Sequence, residues 1–203
     1  MGKSGLRPFI CFGTRPEAIK LAPVIHECIK HEQISPVVCS TGQHKEMLDQ
    51  ASDYFELAID FKLNVMKHNQ TLASLTTTLL DGLNEKIIQT QPDCIIAQGD
   101  TTTVLAAAMT AFYNRLPFCH VEAGLRTYNL QSPWPEEFNR RVAGLCTSLH
   151  FAPTARAASA LSREGISREN IFVTGNTVID ALKWARKKEL AHSAVWTQKN
   201  EFL

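Results

Sequence analysis

The fingerprints of several familiar chemistries are missing from this chain. There is no G-x-G-x-x-G turn, no G-x-x-x-x-G-K-[ST] loop and no G-x-S-x-G elbow. Those absences argue against dinucleotide binding, P-loop phosphate binding and a hydrolase-type Ser nucleophile. No Cys or His cluster has the spacing of metal ligands. The 6 cysteines, Cys11, Cys28, Cys39, Cys94, Cys119 and Cys146, form no C-x-x-C pair and fall mostly inside apolar runs. They read as buried, reduced thiols of a cytoplasmic protein. The longest apolar stretch, "VLAAAMTAFY", is too short for a bilayer, which takes about 20 residues. No secretory leader is legible, because the first apolar run is short and passes straight into "GTRPEAIK". The net charge is only +1, so no bulk field draws the chain to nucleic acid or to a membrane surface. Any anion it binds must be held by local groups. Internal repeats and low-complexity segments are absent too.

What is present is an alternation. Short apolar runs at 8–12, 35–40, 93–98, 117–121, 149–153 and 170–175 alternate with helix-patterned segments at 15–30, 44–55, 72–89, 101–114, 135–148, 155–165 and 177–188. Strands that are apolar along their whole length, separated by helices, predict a parallel sheet covered on both faces. The expected fold is α/β, a doubly wound, Rossmann-like domain over residues 1–188. Segment 56–70 reads as a long connection. Residues 189–203 show no strong period and read as a tail or the start of an interdomain linker.

Open parallel sheets bind ligands beyond the carboxyl ends of their strands. The first such turn is "FGTRPEAIK". Thr14 and Glu17 fit a capping box and Pro16 suits a first helical turn; the helix start with Arg15 beside it reads either as an anion site or as a well-capped helix with a solvated Arg. After the second strand, Gln43 and His44 in "TGQHKEM" could reach a sugar or phosphate. "AQGDTTT" puts Asp100 at the end of a central strand, where capping of the next helix would also explain it. "HVEAGLR" puts Glu122 where an apolar run stops, with Arg126 nearby. In "SPWPEEFNRR" the prolines start a helix. There Glu136 with Arg140 and Glu137 with Arg141 could equally be solvated i,i+4 pairs. Asp100, Glu122 and Glu136 belong to neighbouring strand ends. Carboxylates gathered in one cleft shift one another's proton affinity, which suits general acid–base work.

Six ordered segments, "FGTRPEAIKLAPVI", "GQHKEMLDQ", "QGDTTTVLAAAMTAFY", "HVEAGLRT", "SPWPEEFNRR" and "VTGNTVIDAL", resemble the bacterial non-hydrolysing UDP-N-acetylglucosamine 2-epimerases. The resemblance runs from about residue 8 to residue 185. It implies a glycosyltransferase-B type fold of two domains, with the active site in the cleft between them and no nicotinamide or other cofactor. It implies interconversion of UDP-N-acetylglucosamine and UDP-N-acetylmannosamine, by anti elimination of UDP to a 2-acetamidoglucal and re-addition of UDP. Asp100, Glu122 and Glu136 match the family's catalytic carboxylates. Arg15 and Lys20 match its nucleotide-sugar contacts, and Arg126 is placed with them. In some bacterial members a second UDP-N-acetylglucosamine binds as an activator, near the segment matching Gln43 and His44.

Family members run to nearly twice this length, and their second domain supplies a catalytic His and most nucleotide contacts. The resemblance therefore covers the family's N-terminal half. It implies a homodimer, and a second domain that is encoded separately or lost, without which this chain is inactive. Two other readings stay open. One is the hydrolysing branch, which releases UDP and N-acetylmannosamine, although "GTRPE" argues against it because that branch tends to carry Asp in place of the Pro-Glu pair. The other is a non-catalytic module that binds nucleotide sugar.

Overall fold

The computed structural model describes residues 5–42, 45–67 and 69–200. Seven strands form one all-parallel sheet: β1 (Pro8–Phe12), β2 (Val37–Ser40), β3 (Phe61–Lys62), β4 (Cys94–Gln98), β5 (Phe118–Val121), β6 (Leu149–Ala152) and β7 (Ile171–Val173). Their order across the sheet is β3-β2-β1-β4-β5-β6-β7. The helices between them are α1 (Arg15–Lys30), α2 (Lys45–Tyr54), α3 (Leu72–Thr90), α4 (Thr102–Tyr113), α5 (Glu136–Cys146), α6 (Ala155–Arg163) and α7 (Val178–Asn200). The expected doubly wound sheet is present.

The strand period of two sorts each strand's side chains between two cores. On β1, Phe9 and Cys11 join Ile95, Phe118, Leu79, Leu83 and Val104 beneath α3 and α4. Ile10 and Phe12 on the same strand join Val38, Leu21, Ile25, Leu48 and Phe55 beneath α1 and α2. Covering both faces explains why the central strands read as unbroken apolar runs. The coverage fails at one edge, where Phe172 and Val173 of β7 are exposed. The last helix closes over α1 and α2. Trp184 stacks on His26 with ring centroids 5.6 Å apart and lies 5.1 Å from the Phe55 ring, while Lys188 sits 4.9 Å over the Trp184 ring.

Two features depart from the sequence reading. Phe61 and Lys62, within the supposed long connection, pair with Cys39 and Ser40 as a two-residue edge strand. α7 also continues well past residue 188, to Asn200. The strand order reverses between β1 and β4, and that switch point is where an open α/β sheet offers a crevice.

Candidate active site at the switch point

Three turns meet beyond the carboxyl ends of β1, β4 and β5. Each is set by its own local chemistry. β4 exits through Gly99, whose φ of 89° is left-handed and suits glycine. Asp100 follows, but it does not cap α4. Thr101 is the N-cap, its hydroxyl accepting from Val104 N–H at 3.4 Å. The capping explanation for Asp100 therefore falls away, and its carboxylate is free to face Arg140, whose Nη2 is 2.8 Å from Oδ2. The backbone on either side of Asp100 is pinned as well. His120 Nε2 donates to the Gly99 carbonyl at 2.7 Å, and Asn139 Nδ2 donates to the Asp100 carbonyl at 2.9 Å.

β5 exits through Glu122, a non-glycine residue at φ 64°. A carboxylate in the left-handed region persists only where its surroundings hold it, and such residues cluster at functional sites. The hold here is direct: Lys20 Nζ donates to Glu122 Oε2 at 2.6 Å and Gln98 Nε2 donates to the same oxygen at 2.7 Å. Gly124, at φ 86°, lets α6 approach, because a Cβ there would lie 2.4 Å from the Ala157 carbonyl oxygen.

Glu136 opens α5 just after Pro135. The alternative i,i+4 ion pairs are not found among the described residues. Arg140 turns to Asp100, and its Nε lies 3.7 Å from Glu137 Oε2. Glu137 is fully buried, accepting from Thr127 N–H and Tyr128 N–H at 3.0 Å each. It fixes the loop before α5, and Glu136, half-buried at the helix start, keeps its carboxylate without a hydrogen-bonded partner among the described residues.

The electrostatics of Asp100 register its neighbours. Burial pushes the Asp100 carboxyl above its ordinary range, Arg140 pulls it down, and the negative charges of Glu136 and Glu122 push it up again against a smaller pull from Lys20. Asp100 thus feels both other candidate carboxylates, as groups sharing one cleft do. Lys20 connects this cluster to a second feature. With Arg15, Pro16, Ile19, Met47 and Val178 it lines an open cleft of about 460 Å³, so both expected cations face one space. Arg15 is exposed at the first position of α1. The helix start beside it is less available to an anion than expected, because the Gly13 and Thr14 N–H groups donate to Glu17 Oε2 at 2.8 and 2.7 Å.

Arg126 is engaged within the protein. Its Nε and Nη2 form a two-pronged pair with Glu164 at 2.8 and 2.9 Å, its Nη1 donates to the Leu125 carbonyl, and its side chain is 1% exposed. It anchors the turn after β5 to the end of α6. Gln43 and His44 lie outside the described residues. Among the described residues, no group of His, Cys, Asp and Glu is placed to hold a metal ion, and no helix is long and apolar enough to cross a membrane. Gln98, Asn139 and Arg140 lie inside the quoted segments, but their holding roles, Gln98 on Glu122, Asn139 on the Asp100 carbonyl and Arg140 on the Asp100 carboxylate, were not read from the sequence.

The comparisons with known proteins bear on the family and the fold. A family profile described as UDP-N-acetylglucosamine 2-epimerase matches residues 26–203. The UDP-N-acetylglucosamine 2-epimerase of Neisseria meningitidis is 52% identical over 177 residues, which are 87% of this chain and 48% of that protein. The Escherichia coli K12 enzyme of the same name is 48% identical over 180 residues, 89% of this chain and 48% of that one. A crystal structure of the N. meningitidis enzyme bound to UDP-GlcNAc superposes with a TM-score of 0.89 at 48% identity, over 95% of this chain and 52% of that one. The Methanocaldococcus jannaschii enzyme, in complex with UDP-GlcNAc and UDP, gives a TM-score of 0.82 at 36% identity over 87% of this chain and 48% of its own. The seven-stranded sheet is the Rossmann-like unit of the glycosyltransferase-B type fold these neighbours share. The chain spans about half the length of the curated relatives it matches. On this agreement of profile, identity and fold, the chain belongs to the UDP-N-acetylglucosamine 2-epimerase family.

Proposed function

We propose that this chain forms one wall of the active site of a non-hydrolysing UDP-N-acetylglucosamine 2-epimerase. In this reading Asp100, Glu122 and Glu136 serve the sugar, while Arg15 and Lys20 face its diphosphate. The observation that carries it is the raised proton affinity of Asp100, to which the charges of Glu136 and Glu122 contribute, with Lys20 joining Glu122 to the cation-lined cleft.

The chemistry demands such a set. The C2 proton of the hexose has no neighbouring carbonyl to acidify it. Removing it is feasible when the C1–O bond breaks at the same time: a carboxylate takes the proton, the C1–O electron pair leaves with UDP, and a C1–C2 double bond forms in 2-acetamidoglucal. In return, a UDP oxygen bonds to C1 and a proton is delivered to the opposite face of C2. The overall exchange needs acid–base groups on both faces and cations to stabilise charge growing on the diphosphate. Asp100, which binds a proton more tightly than an ordinary aspartate, suits the group that holds a proton between the half-steps.

In the same reading a second domain closes over the cleft, and the segment from residue 189 onward leads towards it. A homodimer fits the exposed Ile88, Phe112, Tyr113 and Leu145, which lie near the C-terminal ends of three neighbouring helices, α3, α4 and α5. Residues 43 and 44 belong to the reading as a second nucleotide-sugar contact. The test is a chimera in which residues 1–200 of this chain continue into the second half of the N. meningitidis relative. Incubated with UDP-N-acetylglucosamine and followed by proton NMR, it should yield UDP-N-acetylmannosamine with UDP still attached. Free UDP and N-acetylmannosamine would favour the hydrolysing branch. A folded chimera that turns over nothing would leave a non-catalytic module.

A further inference from the structure

Glu17 has a hydrogen-bond set larger than a helix cap requires. In a capping box its carboxylate need only reach back to the Thr14 N–H, which it does at 2.7 Å. The same Oε2 also accepts from the Gly13 N–H at 2.8 Å and the Thr14 hydroxyl at 3.0 Å. Oε1 reaches into a different turn, 84 positions along the chain, and accepts from the Thr101 hydroxyl at 2.5 Å. Glu17 is 3% exposed, and no cation pairs with it among the described residues. A buried carboxylate without a counter-ion is held by hydrogen bonds alone, and it is costly unless they are all made. Burial accordingly pushes its pKa up, and the bonds from Thr101, Gly13 and Thr14 pull it back.

The two ends of this link are the two halves of the site. The first turn is followed directly by Arg15, and Lys20 stands one helical turn further along α1. Thr101 is the next residue after Asp100. Building on the function proposed above, the geometry points to Glu17 as a positioning residue. It sets the distance between the cations that face the diphosphate and the acid–base carboxylate at C2. Its carboxylate is wholly engaged with the protein, so it acts through Arg15 and Asp100 and does not touch substrate. Sequence spacing registers only the short-range half of this role, because the bond to Thr101 has no local signature.

The experiment uses the active chimera, with melting temperature measured alongside kinetics. Glu17→Ala should lower kcat by about 10- to 100-fold, the scale of a misplaced catalytic group. Its KM should stay within about threefold, because the groups that bind substrate remain. Glu17→Gln, which keeps the shape and can still bond to both turns, should recover most of the loss. Thr101→Val breaks the same link from its other end and should reproduce the kcat defect, whereas Thr101→Ser, which keeps the hydroxyl, should restore the rate. The double variant Glu17→Ala/Thr101→Val should be no slower than the worse single variant, since both remove one link. If Glu17→Ala does not fold, Thr101→Val decides. A kcat within about twofold of the parent in folded Thr101→Val, or single losses that simply multiply, overturns the inference. An inactive parent chimera overturns the functional reading instead, and this inference with it.

Discussion

Asp100 is the residue on which the account depends most. Its carboxylate sits beside Arg140 yet is harder to ionise than an ordinary aspartate, because burial and the charges of Glu136 and Glu122 outweigh the pair. Asp100→Asn should therefore lower kcat of the active chimera by about 10² to 10⁴, the usual share of one acid–base group, with little change in KM. Its effect on stability has the opposite sign. Folding raises this pKa, so the ionised form is disfavoured in the folded state: the penalty is absent below the ordinary value of 3.8 and is felt in full once pH passes the raised value. Thermal melts of the Asn variant at neutral pH should show no loss and even a gain, and that difference should vanish in acid. Arg15 should behave differently. It is exposed and carries no ion pair among the described residues, so Arg15→Ala should leave the melting temperature unmoved. It should cut kcat/KM by roughly ten- to a thousand-fold, the scale of charge-assisted bonds to a diphosphate. A large stability loss with unchanged kinetics would make Arg15 structural. The three carboxylates were legible in the sequence because strand ends are. The identity of the cap was not: Asp100 and Thr101 are both good N-caps, and only the backbone path decides between them. The Arg126–Glu164 pair was not legible for a similar reason, since the two residues lie far apart along the chain. Glu137 looked like a surface residue because i,i+4 spacing does not reveal which side of a helix faces inward.

Elements carried most of what the sequence could disclose. The six apolar runs became β1, β2, β4, β5, β6 and β7, since a strand buried on both faces leaves a continuous signal. β3 left none, because two residues at a sheet edge cannot establish a period. The far end of α7 was equally silent, as its weak amphipathicity gives the 3.6-residue pattern little to show. Adjacent strands also create a feature invisible in either one: His120 of β5 and His150 of β6 are register partners, both buried. Burial lowers both pKa values from 6.5 to about 4, so both rings are neutral at pH 7. Groups with depressed folded-state values of this kind give stability that is complete above 6.5 and is lost as pH falls towards 4. Each can add a slope of up to about 1.4 kcal/mol per pH unit across that window. His150→Asn should flatten the decline in unfolding free energy through this range, measured by urea titration at several pH values. A variant whose decline runs parallel to the parent's would show that His150 does not titrate with folding.

At the scale of the whole molecule, the Rossmann-like sheet has a core on each face and carries Asp100, Glu122, Lys20 and Arg15 in the turns at one rim. Catalysis in the proposed reading needs that rim enclosed, because holding reactants in register and excluding water can supply about 7–11 kcal/mol of a barrier. An open rim lacks most of this, so the wall should fold without being an enzyme. The direct measurement is deuterium entry at C2 of UDP-N-acetylglucosamine in D2O. It is followed by NMR for the 203-residue chain alone, for the chain mixed with a separately expressed second half of the N. meningitidis relative, and for the chimera with and without Asp100→Asn. The chain alone should give no exchange above blank. Exchange should appear once the second half is supplied and be lost when Asp100 is replaced. Exchange by the chain alone, or undiminished exchange in the Asp100→Asn chimera, would contradict the proposed role of this wall and of Asp100.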